Sequence, residues 1–355
     1  METHYPTGAG TRTIGADVAR RLSGLSATAE AHGRLTDGQL AVIYEQRWFK
    51  LFVPRAYGGL ELSVPEGVRL EEELACIDGS LGWTVTLCAG ANLFVGYVHP
   101  STAGTVFADP AVCFGGSGQA SGTALEEDDG YRVSGRWRYA TGAPHLSHFT
   151  ANCIIQRQGR TVLDDQGNPL VRSFFFAKDE VSVCEDWSAF GLKATASHSF
   201  EVSNLWVDRN RSFLIGPEYA TLDLPIYRYP FLPFAEATLA VNTLGMTRHF
   251  LACAKDLLRE SGVERTEEAS ERVAETRRSF YHVVDRSWKE LVDSGDVGQA
   301  TLQAVSEQSH SLVHRCREQV MALFPHLGLT AADASSEVNR IWRDLFTASQ
   351  HSLLR

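Results

Sequence analysis

The stretch GYRVSGRWRYATG, residues 130–142, decides the reading of this chain. Tyr131 and Val133 alternate on one face, and Trp137 and Tyr139 restart the period-two pattern. Ser134-Gly135 between them predicts a tight turn, so the segment is expected as a hairpin that ends at Thr141-Gly142. Such an end brings a large flat ring, Trp137, near the Thr141 hydroxyl. A ring surface and a hydroxyl donor together suit a planar aromatic ligand with ring nitrogens. A surface hairpin with one buried tryptophan is the competing reading of the same residues.

Outward from this stretch the chain falls into three zones. Over 1–111 the pattern is helical, with Ile14, Val18, Leu22 and Leu25 at helical spacing. Thr36 with Gln39 predicts a capping box; Ser63 with Glu66, and Pro65 in the first turn, predict another. LFVPRAYGG (51–59) breaks structure through Pro54 and Gly58-Gly59 and predicts a connector. Over 112–212 short alternating runs (VCFGG, YRVSGRWRY, HFTANCII, SFFFA, HSFEVSNLWV) argue a compact antiparallel β domain. Over 213–355 helices return, with Val338, Ile341, Trp342, Leu345 and Phe346 on one stripe of the last helix. The expected class is α+β, a β domain set between two helical parts.

The 355 residues are 44% hydrophobic, enough for a sizeable core, with a net charge of −10 and no basic stripe, which argues against a nucleic-acid partner. No apolar run is long enough to cross a bilayer, and METHYPTGAGTRTIG at the N-terminus lacks the apolar core of a signal peptide. Seven cysteines are scattered without close pairs, which suits free thiols in a reducing cytoplasm. The expected location is therefore cytoplasmic.

Several motifs are weighed against plainer readings. GGSGQASG (115–122) lacks the Gly-Lys-Ser/Thr of a phosphate loop and the third glycine of a dinucleotide fingerprint, so a strand-ending turn is expected. His145 with His148, and His310 with His314, have chelating spacing but no further ligand in a recognisable signature, so no metal is expected. On the C-terminal helix, Arg340, Asp344, Thr347 and His351 are spaced to share one face. That face is either solvated, with Arg340 and Asp344 paired, or chemical. Histidine is the side chain best suited to donate to an oxygen species near neutral pH.

LFVPRAYGG (51–59), GSLGW (79–83), GYRVSGRWRYATGAPH (130–145), FGLKATASHSFEVSNLWVD (190–208) and RIWRDLFTASQH (340–351) occur in this order. Together they resemble the acyl-CoA dehydrogenase superfamily, and within it the two-component flavin-dependent monooxygenases of the 4-hydroxyphenylacetate hydroxylase and dibenzothiophene monooxygenase type. The resemblance implies an N-terminal helical domain, a central antiparallel β-barrel and a C-terminal four-helix bundle, with FAD or FMN between barrel and bundle in a homotetramer. It implies that Ser117, Gln119, Trp137, Thr141 and Gly142 hold the flavin. Ser197 and His198 would border the substrate, and His351 with Thr141 would act beside the flavin's reactive edge. A separate flavin reductase would supply the reduced flavin. The segment at 259–271 is short for the family.

The reaction has three readings. A monooxygenase needs oxygen entry and a dry pocket, with which Trp137, Trp342 and Phe346 are consistent. An acyl-CoA dehydrogenase needs a carboxylate base; no Glu follows Glu337, but Glu236 on the helix that opens the bundle could serve. The third is a flavin-fold protein that binds ligand without turnover. The monooxygenase is the expected one, since Gln350-His351 stand where the dehydrogenases carry their C-terminal glutamate.

Overall fold

The computed structural model describes residues 14–258 and 262–355; the expectations on residues 1–13, and on 259–261 of the short segment, lie outside them. The N-terminal helices are α1 (Ala16–Ser23), α2 (Ser26–His32), α3 (Asp37–Glu45), α4 (Val64–Ile77), α5 (Gly79–Asn92) and α6 (Pro100–Val106). Both expected capping boxes are present, Thr36 with Gln39 opening α3 and Ser63 with Glu66 opening α4. Each such cap stabilises its helix by about 1 kcal/mol. The 51–59 connector folds back on itself: a Cβ at Gly59 would lie 1.9 Å from the Val53 carbonyl oxygen, so only glycine fits.

Asp78 ends α4 and also caps α5, accepting from the Leu81 amide at 2.7 Å. The glycines of GSLGW then let α5 start in a crowded place. A Cβ at Gly79 would meet Met246 at 2.7 Å and Asp344 at 3.0 Å, and one at Gly82 would meet Ala75 at 2.5 Å. Close backbone approach therefore fixes where Trp83 is presented.

Eight strands follow: β1 (Phe114–Glu127), β2 (Gly130–Ala140), β3 (His148–Arg157), β4 (Arg160–Thr161), β5 (Val171–Ala177), β6 (Ser182–Cys184), β7 (His198–Asp208) and β8 (Ser212–Phe213). The sheet order is β6-β7-β2-β1-β3-β5-β8, with β4 beside β3. This corrects the expected antiparallel barrel: the sheet is open, and it is mixed because β1 and β3 run parallel. The reason is topological. β2 returns antiparallel to β1, and residues 141–147 then cross the start of β1, so β3 runs in β1's direction on its other side.

The expected turn at Ser134-Gly135 is also corrected, because β2 runs straight through it and the hairpin turn lies between Glu127 and Gly130. Gly135 serves packing instead. A Cβ there would sit 2.7 Å from the Trp137 ring, and one at Gly122 would sit 2.1 Å from it. The indole lies across two glycines.

The chain closes with α7 (Pro225–Arg228), α8 (Phe231–Leu258), α9 (Val263–Ser294), α10 (Gln299–Leu323), α11 (Gly328–Ala332) and α12 (Glu337–Ala348). Helix α8 is buried all round from Pro233 to Thr247 and packs on α4, α9, α10 and α12, the position of a central helix. The carboxylate of Glu72 on α4 is buried there, held by Arg248 at 2.6 Å, by Arg277 at 2.9 Å and by the Tyr281 hydroxyl. Among the described residues no helix is long and apolar enough to cross a membrane.

Candidate active site

The crossover that makes the sheet mixed begins with Thr141-Gly142. Thr141 is 4% exposed, its hydroxyl 2.9 Å from that of Ser197, which lies 2.7 Å from that of Thr195. The Gly142 amide donates to the Thr195 carbonyl at 2.8 Å. Gly142 has φ +76°, a left-handed conformation that glycine adopts without strain, and Thr84 and Cys88 of α5 close in behind it. The loop carrying Thr195 and Ser197 is seated on α12. A Cβ at Gly191 would lie 2.0 Å from the Arg343 carbonyl oxygen, and the Leu192 amide donates to Asp344 Oδ1 at 2.5 Å. The end of β2, the loop before β7, α5 and α12 thus converge.

The polar face of α12 points inward rather than into solvent. Asp344 is buried, and burial, reinforced by the charge of Asp78, pushes its carboxyl up to about 8. The Thr347 hydroxyl is buried without a partner. Arg340 lies 3.7 Å from Glu337, so it does not pair with Asp344. Beyond the helix end, His351 meets Trp83 of α5 edge-on, ring centroids 5.9 Å apart at 64°. Its Nδ1 accepts from the Leu353 amide at 3.3 Å, which assigns the proton of the neutral ring to Nε2. Burial, with Arg355 adding to it, lowers the His351 pKa, so the ring is neutral near pH 7 and offers an N–H donor.

The sequence-derived candidates separate into groups. Thr141, Gly142 and Ser197 are brought together. His198, although next to Ser197, faces elsewhere: its Nδ1 accepts from the Trp187 amide at 3.1 Å, and it lines a cleft of about 800 Å3 with Glu30, Trp187, Lys193 and Arg340. Neither Thr141 nor His351 lines that cleft. The pair is parted where β7 begins: Ser197 still belongs to the loop that follows the left-handed Ala196, and His198 is the first residue of the strand. Ser117 and Gln119 lie where β1 is irregular, and residues 118–121 stand outside both of its ladder registers. Ser117 itself still pairs with Ala151 of β3, the Gln119 amide donates to the Ser117 hydroxyl at 3.4 Å, and the Gly118 carbonyl accepts from Asn152 at 2.9 Å.

Trp137 is set apart from the rest. It is fully buried, stacked on Phe200 at 5.1 Å, and its indole N–H donates to the Asn152 carbonyl at 3.0 Å. Tyr139 is the accessible aromatic in this stretch, 55% exposed, held at φ +72° and edge-on to Trp187 at 6.0 Å. A left-handed φ at a non-glycine residue is costly and concentrates at functional sites. Simple alternation put Trp137 and Tyr139 on one face; the register shift between Trp137 and Ala140 undoes that. Tyr139 is the residue the sequence reading passed over. Trp342 and Phe346 join Phe324 and Phe190 in an aromatic cluster.

Glu236 is 6% exposed and already engaged: its carboxylate accepts from the Ser306 hydroxyl and has His310 at 3.7 Å. His310 also reaches the Leu353 carbonyl at 2.9 Å, alongside the tail that carries His351. A buried hydroxyl at Thr141, a buried hydroxyl without a partner at Thr347 and an open aromatic ring at Tyr139 are groups of the kinds a flavin ring system takes, hydrogen bonds at its edge and a flat surface at its face.

Comparison with known proteins bears on the family and the fold. Residues 237–355 match the family model described as acyl-CoA dehydrogenase, C-terminal domain. The oxygenase subunit HsaA of a flavin-dependent monooxygenase from Mycobacterium tuberculosis is 25% identical, over 90% of this chain and 85% of its own length. The crystal structure of the M. tuberculosis HsaA monooxygenase superposes with a TM-score of 0.88 at 21% identity, over 96% of this chain and 91% of that one. XiaF from Streptomyces sp., in complex with FADH2 and glycerol, gives 0.83 at 23% identity, over 96% and 90%. The chain therefore ends in an acyl-CoA dehydrogenase-type domain and is a homologue of the flavin-dependent monooxygenases of the acyl-CoA dehydrogenase-like fold.

Proposed function

We propose that this chain is the oxygenase component of a two-component monooxygenase that hydroxylates, or oxidises at nitrogen or sulfur, a small organic substrate. The observation that carries the reading is His351: a half-buried, neutral imidazole whose Nδ1 accepts from the Leu353 amide, leaving the proton on Nε2, beside Trp83 and at the end of an inward polar face. Bound reduced flavin, FAD or FMN, would supply the electrons and activate oxygen. Thr141, Gly142, Ser117 and Gln119 would hold it by hydroxyl and backbone hydrogen bonds, with Tyr139 offering the ring surface first assigned to Trp137. His351 would donate a proton or hydrogen bond where oxygen chemistry takes place. Ser197 would orient Thr141, and His198 would face whatever enters the neighbouring cleft. A separate flavin reductase supplies the reduced cofactor, by transient contact or by diffusion.

The chain would work as three domains, 1–111, 112–212 and 213–355, with flavin between the second and third, in a homotetramer. Light scattering that gives the mass of a single chain in the presence of flavin would remove the tetramer from this reading.

The decisive experiment supplies reductase, flavin, candidate aromatic or sulfur-containing substrates and isotopically labelled oxygen, and follows the label by mass spectrometry. Label in the product supports the reading. Substrate-dependent bleaching of oxidised flavin without oxygen would replace it with the dehydrogenase reading, in which Glu236 is the base. The existing bonds of Glu236 to Ser306 and its closeness to His310 favour the monooxygenase. Accordingly Glu236→Gln should leave turnover nearly intact, whereas a loss of about a hundredfold or more would mark a general base. Failure to bind flavin at all would leave the ligand-binding reading without turnover.

A further inference from the structure

We propose that His249, Cys253 and Glu337 form a site for one divalent transition-metal ion of the Zn2+ class, stapling α8 to the start of α12. His249 and Cys253 are one helical turn apart on α8, so they share a face. Glu337 is the first residue of α12. The ligand atoms of all three lie within 4.8 Å of one another. His249 Nε2 and Glu337 Oε1 are 3.3 Å apart. That separation matches the edge of a tetrahedron with metal–ligand bonds of about 2.0 Å.

The chemistry of the donors selects the ion. An imidazole, a thiol and a carboxylate are borderline-soft together, which suits Zn2+ and disfavours Mg2+ and Ca2+. The Glu337 side chain is 51% exposed, which leaves the fourth position to water. Asp78 beside His249, and Asp256 beside Cys253, add negative charge. They oppose Arg340, which is 3.7 Å from the same Glu337 oxygen and has to yield that contact in part. Without a metal, burial pushes the Cys253 thiol up to about 11. Metal binding would therefore displace the thiol proton into solvent as the metal–sulfur bond forms. Sequence spacing did not point here because the third ligand comes from a distant helix, whereas the closely spaced His310 and His314 drew attention.

The test uses the full chain, tag removed and stripped with chelator, titrated with Zn2+ and separately with Co2+. One equivalent per chain should bind. The Co2+ form should show a thiolate-to-metal absorption band, and Zn2+ should protect Cys253 from alkylation as mapped by peptide mass. Cys253→Ser should abolish the band, and His249→Gln or Glu337→Gln should weaken binding by about tenfold or more. His314→Gln should change nothing. Equal Zn2+ uptake by wild type and Cys253→Ser, or no thiolate band, overturns the site. If a variant does not fold, labelling of wild-type Cys253 that is the same with and without Zn2+ overturns it equally.

Discussion

Thr141 and His351 act at the scale of single hydrogen bonds. Thr141 is already bonded to Ser197, so replacing it with valine keeps shape and removes a hydroxyl that serves both partners. Thr141→Val should weaken flavin binding by about 1 kcal/mol, as for a neutral hydrogen bond. Equal flavin affinity of the two proteins, measured by fluorescence titration, would take Thr141 out of the site. For His351 the expectation concerns coupling rather than binding. His351→Ala should keep flavin affinity but divert consumed oxygen from product to hydrogen peroxide. Since burial lowers the His351 pKa below its ordinary value, its neutral donor form should persist to lower pH than that of a free histidine. The alternative role is a helix-terminal cap, bonded to the Leu353 amide. A variant that only loses some thermal stability and keeps its product yield would reduce His351 to that.

Elements show how much of this was legible in the sequence. Both capping boxes, the 51–59 connector and four of the main strands could be read, because each rests on neighbouring residues; β1 could be read only at its start, since GGSGQASG (115–122) reads as a strand-ending turn whereas the strand runs on to Glu127. The parallel pairing of β1 with β3 could not, since alternation gives a strand's faces but not its neighbours. Gly135 was misread for a related reason: glycine marks both turns and close approach, and only the folded position of the indole separates them. The same ambiguity displaced the ring surface from Tyr139 to Trp137, through a register shift that no local pattern announces. The convergence of Thr141 with Ser197, by contrast, followed from residues that the resemblance had placed in one neighbourhood. The packing account of the two glycines is open to a direct check. Gly122→Ala puts a methyl 2.1 Å from the Trp137 ring, against a wall of the sheet that cannot give way cheaply. Overpacking of this kind costs about 1–3 kcal/mol. An unchanged urea midpoint would mean that Trp137 is free to move and is less a core residue than its burial indicates.

Across the whole molecule, the sheet and the helical bundle are joined at few polar points, and Asp344 is the most informative of them. It sits on α12 with the Gly79 end of α5 packed against it, and it receives the Leu192 amide from the loop that positions Ser197. One carboxyl therefore links the two halves of the candidate site. Burial is the main reason that its pKa stands at about 8, followed by the charge of Asp78. An unfolded aspartate titrates near pH 4. Between these values the folded protein binds a proton that the unfolded chain does not, so the contribution of Asp344 is complete below about pH 4 and is lost as pH rises through 8. His145 runs in the opposite sense: burial lowers its pKa to about 4, so its contribution is present above its ordinary value and lost as pH falls. Comparing Asp344→Asn with wild type cancels His145 and every other common group. The amide oxygen of the variant can still accept from Leu192, and its neutrality mimics the protonated acid. The stability of wild type relative to Asp344→Asn, from urea unfolding, should therefore decline steadily between pH 5 and pH 8. A difference that stays constant over that range would mean that the carboxylate is ionised in the fold and compensated there by its bond from the Leu192 amide.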